Sequence, residues 1–103
     1  MVIEWLKFRV APEFREAFIQ KDTDIWTTAL ASYPGFLGKM VWINPNDPTE
    51  IVLVIHWATR EAWKVIPQAD LDQVDQQFDQ AIEFDYEWVE SKEYQVRRFR
   101  STG

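Results

Sequence analysis

The 103-residue chain contains no cysteine and a single histidine. The first absence excludes disulfides, thiolate metal sites and cysteine nucleophiles, and the second excludes a site built on several imidazoles. Glycine is scarce, limited to Gly35, Gly38 and Gly103, and the three form no phosphate-cradling loop. Three serines and one histidine leave little material for a Ser-His-Asp triad. Positive charge is short as well: 11 Lys and Arg stand against 17 Asp and Glu, for a net charge of −6. A nucleic-acid-binding surface carries the opposite balance, so no nucleic-acid partner is expected. The longest apolar run, Ile51 to Ile55, falls far short of the roughly 20 residues that span a bilayer. The first residues show neither a basic n-region nor an apolar h-region. No membrane partner is expected, and a cytoplasmic protein is.

Aromatic residues are plentiful: six Trp, three Tyr and seven Phe. Hydrophobic residues make up 47% of the chain and charged residues 27%, a composition that builds a core rather than a disordered segment. Length and composition imply a single domain over residues 1–100, with a frayed tail at 101–103.

Residues 2–10 alternate, with Val2, Glu4, Leu6, Phe8 and Val10 on one face, which predicts a strand. Pro12 suits the first turn of a helix. Phe14, Ala17, Phe18, Lys21, Ile25, Thr28 and Ala29 then mark one helical stripe over about 12–32. Tyr33-Pro34-Gly35 ends it. Residues 36–43 and 50–57 read as strands joined by the turn residues Asn44 to Pro48. Thr59 is a natural cap for a short helix that Pro67 stops. Leu71, Val74, Phe78 and Ile82 predict a further helix over about 69–83, and 93–99 reads as the last strand. The order is α+β, a ferredoxin-like β-α-β-β-α-β pattern: a four-stranded antiparallel sheet with helices on one face. The third strand is apolar on both faces, so its second face needs a cover. A second copy of the chain is the economical one, which predicts a homodimer.

Several segments carry a more specific likeness. They are Trp26-Thr27, Pro34-Gly35-Phe36, Val41-Trp42-Ile43-Asn44-Pro45, Ile55-His56-Trp57-Ala58-Thr59-Arg60-Glu61-Ala62-Trp63, Trp63-Lys64-Val65-Ile66-Pro67 and Glu93-Tyr94-Gln95-Val96. On these the chain resembles the antibiotic-biosynthesis-monooxygenase-like superfamily of dimeric α+β barrels, and more narrowly a group of small uncharacterised cyanobacterial proteins within it. The resemblance implies a pocket between sheet and helices in each subunit. It also implies chemistry on aromatic molecules without metal or flavin, or haem degradation. Catalytic members use an Asn, a Trp and a His. Aligned from Trp57, those positions fall near Trp5, Ile66 and Gln76. No Asn occurs in residues 1–43 and no His after His56, so that set does not carry over and haem degradation is not expected.

Read on their own chemistry, the candidate residues each allow two roles. His56 could be a base or hydrogen-bond donor facing a pocket, the one weak catalytic candidate, or a buried histidine satisfied by a carbonyl or carboxylate. The tryptophans could line a cavity for a flat ligand or serve core and interface packing. Trp26 and Trp63, on the helices, are the expected ligand-binding pair together with His56. Glu4, on an apolar strand face, needs a cationic partner, with Lys39 or Arg97 available, or serves as a pocket acid. Asp70, Asp72, Asp75, Asp79, Glu83, Asp85, Glu87 and Glu90 lie in a stretch without Lys or Arg and read as a solvated face, not a Mg²⁺ or Ca²⁺ site. No metal and no cofactor are expected. The expected partners are a second copy of the chain and an apolar or aromatic small molecule. The expected function is an oxygenase- or isomerase-like enzyme without cofactor, or alternatively a non-catalytic ligand-sensing or protein-interaction module.

Overall fold

A computed structural model describes residues 1–100. The strands are β1 (Val2–Val10), β2 (Phe36–Asn44), β3 (Asp47–Trp57) and β4 (Tyr86–Gln95). They form one antiparallel sheet in the order β2-β3-β1-β4. The helices are α1 (Arg15–Asp22), α2 (Thr28–Leu30), α3 (Arg60–Lys64) and α4 (Gln68–Ala81). This is the ferredoxin-like α+β arrangement expected from the periodicity. The expected tail at 101–103 lies outside the described residues.

The sheet's two faces follow from its register. Glu4 pairs with Ile55, Leu6 with Leu53 and Phe8 with Ile51, and this parity packs under the helices. One cluster gathers Val2, Leu30, Ile55, Trp57 and Ile66; a second gathers Val10, Phe18, Ile51, Leu53 and Phe78. The opposite parity pairs Ile3 with His56, Trp5 with Val54 and Lys7 with Val52. No helix covers that face. Val52 and Val54 are nonetheless buried, beside the larger cross-strand neighbours Trp5, Met40 and Trp42.

Four differences from the sequence reading have local causes. The last strand runs over Tyr86–Gln95 rather than 93–99. A bulge opposite Lys7 and Phe8 breaks its period: Trp88 pairs with Phe8 on the helix face, while Glu90 pairs with Lys7 on the open face. Even-numbered residues therefore change sides at Val89, and no single alternation marks the strand. The β2–β3 connection is also tighter than the turn residues imply, with β3 beginning at Asp47. Asp47 caps that start by accepting from the Thr49 amide and hydroxyl at 3.0 and 2.6 Å.

The first helix is also not uniform. Pro12–Phe14 is a 3₁₀ turn and Thr23–Thr27 a π turn set between α1 and α2. The Thr28 hydroxyl donates to the Thr23 carbonyl, five residues back, at 3.2 Å. Lys21, expected on the buried stripe, is exposed; its neighbour Asp22 is buried instead, at 1% exposure. Finally, α4 stops at Ala81, two residues before the expected end, because Ile82 turns extended to enter the approach to β4.

Gly35 fixes where α3 sits. Its φ is +89°, a left-handed conformation that favours glycine. A methyl group there would collide with Cβ of Ala62 on α3. The Gly35 carbonyl accepts from the Ala58 amide at 2.7 Å, and Thr59 Oγ1 caps α3 by accepting from the Ala62 amide at 3.1 Å. Trp63 is thereby held over the end of β3.

Candidate functional site

A cavity of about 440 Å³ lies between the helix-facing side of the sheet and the helices. That volume falls within the range of about 300–1,000 Å³ common for small-molecule sites. Its walls are mainly apolar: Leu6, Phe8, Leu53 and Ile55 from the sheet, Phe18 and Leu30 from the first helical segment, Ile66, Leu71 and Phe78 from the second. Phe18 forms edge-on contacts with Phe78 and Tyr86 at 5.5 and 5.4 Å between ring centroids, an arrangement that aromatic pairs favour.

Four tryptophans reach the cavity: Trp26, Trp57, Trp63 and Trp88. Trp26 projects from the π turn, an irregularity often found where a helix serves a site. Trp63 comes from the glycine-seated α3. Trp57 is fully buried at the end of β3, and Trp88 stacks on Phe8 at 6.1 Å. Trp5 and Trp42 belong to the open face.

His56 does not line the cavity. The strand alternation that sends Ile55 and Trp57 inward sends His56 to the open face, opposite Ile3 and Gly38. There its Nδ1 lies 3.4 Å from Met1 Sδ, and Nε2 is buried without a hydrogen-bond partner among the described residues. The expected grouping of Trp26, Trp63 and His56 is thus divided: the structure brings the two indoles to one cavity and leaves the imidazole outside.

The polar lining is concentrated. Trp57 Nε1 donates to Glu4 Oε1 at 3.2 Å. Burial pushes the Glu4 carboxyl above its ordinary range, opposed by the Trp57 hydrogen bond and by Lys39 and Lys64. Lys39, considered as the cation for Glu4, makes its direct contact with Asp22, at 2.6 Å. Both side chains of that pair are almost wholly buried, at 3% and 2% exposure. Burial raises the Asp22 carboxyl, and the Lys39 charge and hydrogen bond pull it back. Asp22 was not among the sequence-derived candidates, yet a signal exists: it stands four residues after Phe18 and four before Trp26, on one helix face. Asp72 and Asp75 are exposed, as expected of a solvated face, and also border the cavity. Loss of hydration and the neighbouring Asp79 and Asp72 push Asp75 upward. Among the described residues no group of three or more His, Asp or Glu is arranged to hold a metal ion, and no helix is long and apolar enough to cross a membrane.

This split βαβ sheet with helices on one face recurs in known structures. A Deinococcus radiodurans protein assigned as an antibiotic biosynthesis monooxygenase superposes with a TM-score of 0.73 at 18% identity, over 100% of this chain and 99% of the other. The ActVA-Orf6 monooxygenase of Streptomyces coelicolor, in complex with the ligand nanaomycin D, superposes with a TM-score of 0.72 at 15% identity, over 99% and 92%. SnoaB, a cofactor-independent oxygenase from Streptomyces nogalater, gives 0.63 at 16% identity, over 95% and 94%. These likenesses define the class of fold. No curated protein matches the sequence. The family model for antibiotic biosynthesis monooxygenases matches residues 1–70, and the chain belongs to that family.

Proposed function

We propose that this protein is a cytoplasmic homodimer whose subunits each bind an apolar or aromatic small molecule in the cavity between sheet and helices. The carrying observation is the cavity itself, about 440 Å³ and walled by Trp26, Trp57, Trp63 and Trp88. Such walls with a few grouped polar atoms are the usual means of orienting a flat apolar ligand. The chemistry that suits it is a monooxygenase- or isomerase-like reaction without cofactor, in line with the family and with SnoaB and ActVA-Orf6. The dimer is supported by the uncovered sheet face, where Met40, Trp42 and Tyr94 stay 43%, 47% and 50% exposed.

A second reading, binding without catalysis, is favoured by His56. The only imidazole of the chain sits on the open face, leaving Glu4, Asp22, Lys39, Asp72, Asp75 and Tyr86 as the titratable groups of the cavity. Anaerobic and aerobic incubation with a bound phenol carrying a free para position separates the two. Oxygen uptake with conversion to the para-quinone, one oxygen atom inserted and the other released as water, supports the enzyme; binding with unchanged substrate supports the sensor. Absence of binding by any arene would remove both.

A further inference from the structure

The charges that face the cavity are unbalanced. Glu4, Asp22, Asp72 and Asp75 are acidic, and Lys39 is the only basic residue lining it. Lys39 is committed to Asp22 at 2.6 Å, with both side chains buried, so this pair contributes a dipole rather than a free charge. Glu4 uses one oxygen to accept from Trp57. Its other oxygen has no hydrogen-bond or ion-pair partner among the described residues and belongs to a residue that lines the cavity. Asp72 and Asp75 lie one turn apart on α4. Lys64 also acts on Glu4 through its charge; its ammonium rests over the Trp63 ring, 3.8 Å from its centroid, and Lys64 is not part of the lining.

Four indoles line the same space. Indole is the aromatic group that best attracts a cation through its ring quadrupole. Low polarisability of the apolar walls strengthens every charge inside the cavity. An anion entering it would meet four carboxylates against one lysine, while a cation would meet them as counter-ions. The cavity makes the site; its carboxylates decide the sign of what enters.

Resting on the reading of this cavity as a small-molecule site, we infer that it selects a flat organic cation, an arene bearing a protonated amine, with the ammonium on the free oxygen of Glu4 and the rings between Trp26 and Trp63. The acceptor left open on Glu4 matches an N–H donor. The apolar walls match the arene. Asp72 and Asp75 add a negative field to the same cavity.

Three probes of one ring system test this by titration calorimetry: 2-naphthylmethylammonium, 2-naphthylmethanol and 2-naphthoate. The ammonium is expected to bind about tenfold more tightly than the alcohol, and the carboxylate more weakly than either. Glu4→Gln keeps an acceptor for Trp57. It is expected to reduce ammonium binding about tenfold and leave the alcohol unchanged. Equal affinities for the three probes, a preference for the carboxylate, or ammonium binding indifferent to Glu4→Gln would overturn the charge selection while the cavity reading stands. No heat with any probe would overturn both.

Discussion

Replacing Lys39 by Met would leave the Asp22 carboxylate at 1% exposure with no counter-ion. Breaking a buried pair by removing one partner costs about 3–5 kcal/mol, because the remaining charge keeps its desolvation penalty without its attraction. A domain of this size has about 5–15 kcal/mol in all, so the variant would lose a large share of its stability. Urea unfolding, followed by tryptophan fluorescence at fixed protein concentration, should show a lower midpoint with an unchanged slope. The double variant Asp22→Leu/Lys39→Met should recover most of the loss, since a well-packed apolar pair often equals or exceeds a buried ion pair.

The pH dependence has a definite sign. Burial raises Asp22 above its ordinary 3.8, and removing Lys39 removes the group that opposes the rise. The folded state then binds the proton more tightly than the unfolded state. Stability is greatest below the unfolded pKa and falls as pH climbs through the raised folded value. Acidification from neutrality towards the ordinary carboxyl value of 3.8 should therefore narrow the gap between the Lys39→Met variant and the unaltered protein. A Lys39→Met variant within about 1 kcal/mol of the parent, or a double variant no better than the single, would refute this account of the pair.

Gly35→Ala should lower stability by about 1–3 kcal/mol, through a disfavoured φ and the collision with Ala62. Adding Ala62→Gly should return only the part due to the collision, as read from the melting temperature. Light scattering at micromolar concentration should give about twice the 12.3 kDa chain mass. Trp42→Glu should shift it to the single chain, since an isologous interface repeats the charge; a monomer before mutation would remove the sheet-to-sheet dimer. Incubation with haem and a reductant should leave the Soret band unchanged, and bleaching with release of iron would show that the family's Asn, Trp and His have functional equivalents here.

Local periodicity was enough to derive the order of the elements. Alternation in β1 and β3, the Leu71-Val74-Phe78 spacing of α4, the Thr59 cap and the Pro34-Gly35 break are all short-range consequences of backbone geometry. The same periodicity placed Trp26 and Trp63 on helices above the sheet, and it grouped His56 with Val52 and Val54 rather than with Trp57. The side of the sheet on which that group lies is not a local property. It depends on which parity of β1 and β3 the helices cover, and so on packing across the whole chain. Nor could spacing alone locate β4, because its bulge is imposed by the register with β1 and exchanges the two faces within one strand. Asp22 and Lys39 lie 17 positions apart in the sequence, and each alone reads as an ordinary surface charge. Only the approach of α1 to β2 makes them a buried pair, because a charge enters a protein interior when a partner arrives with it.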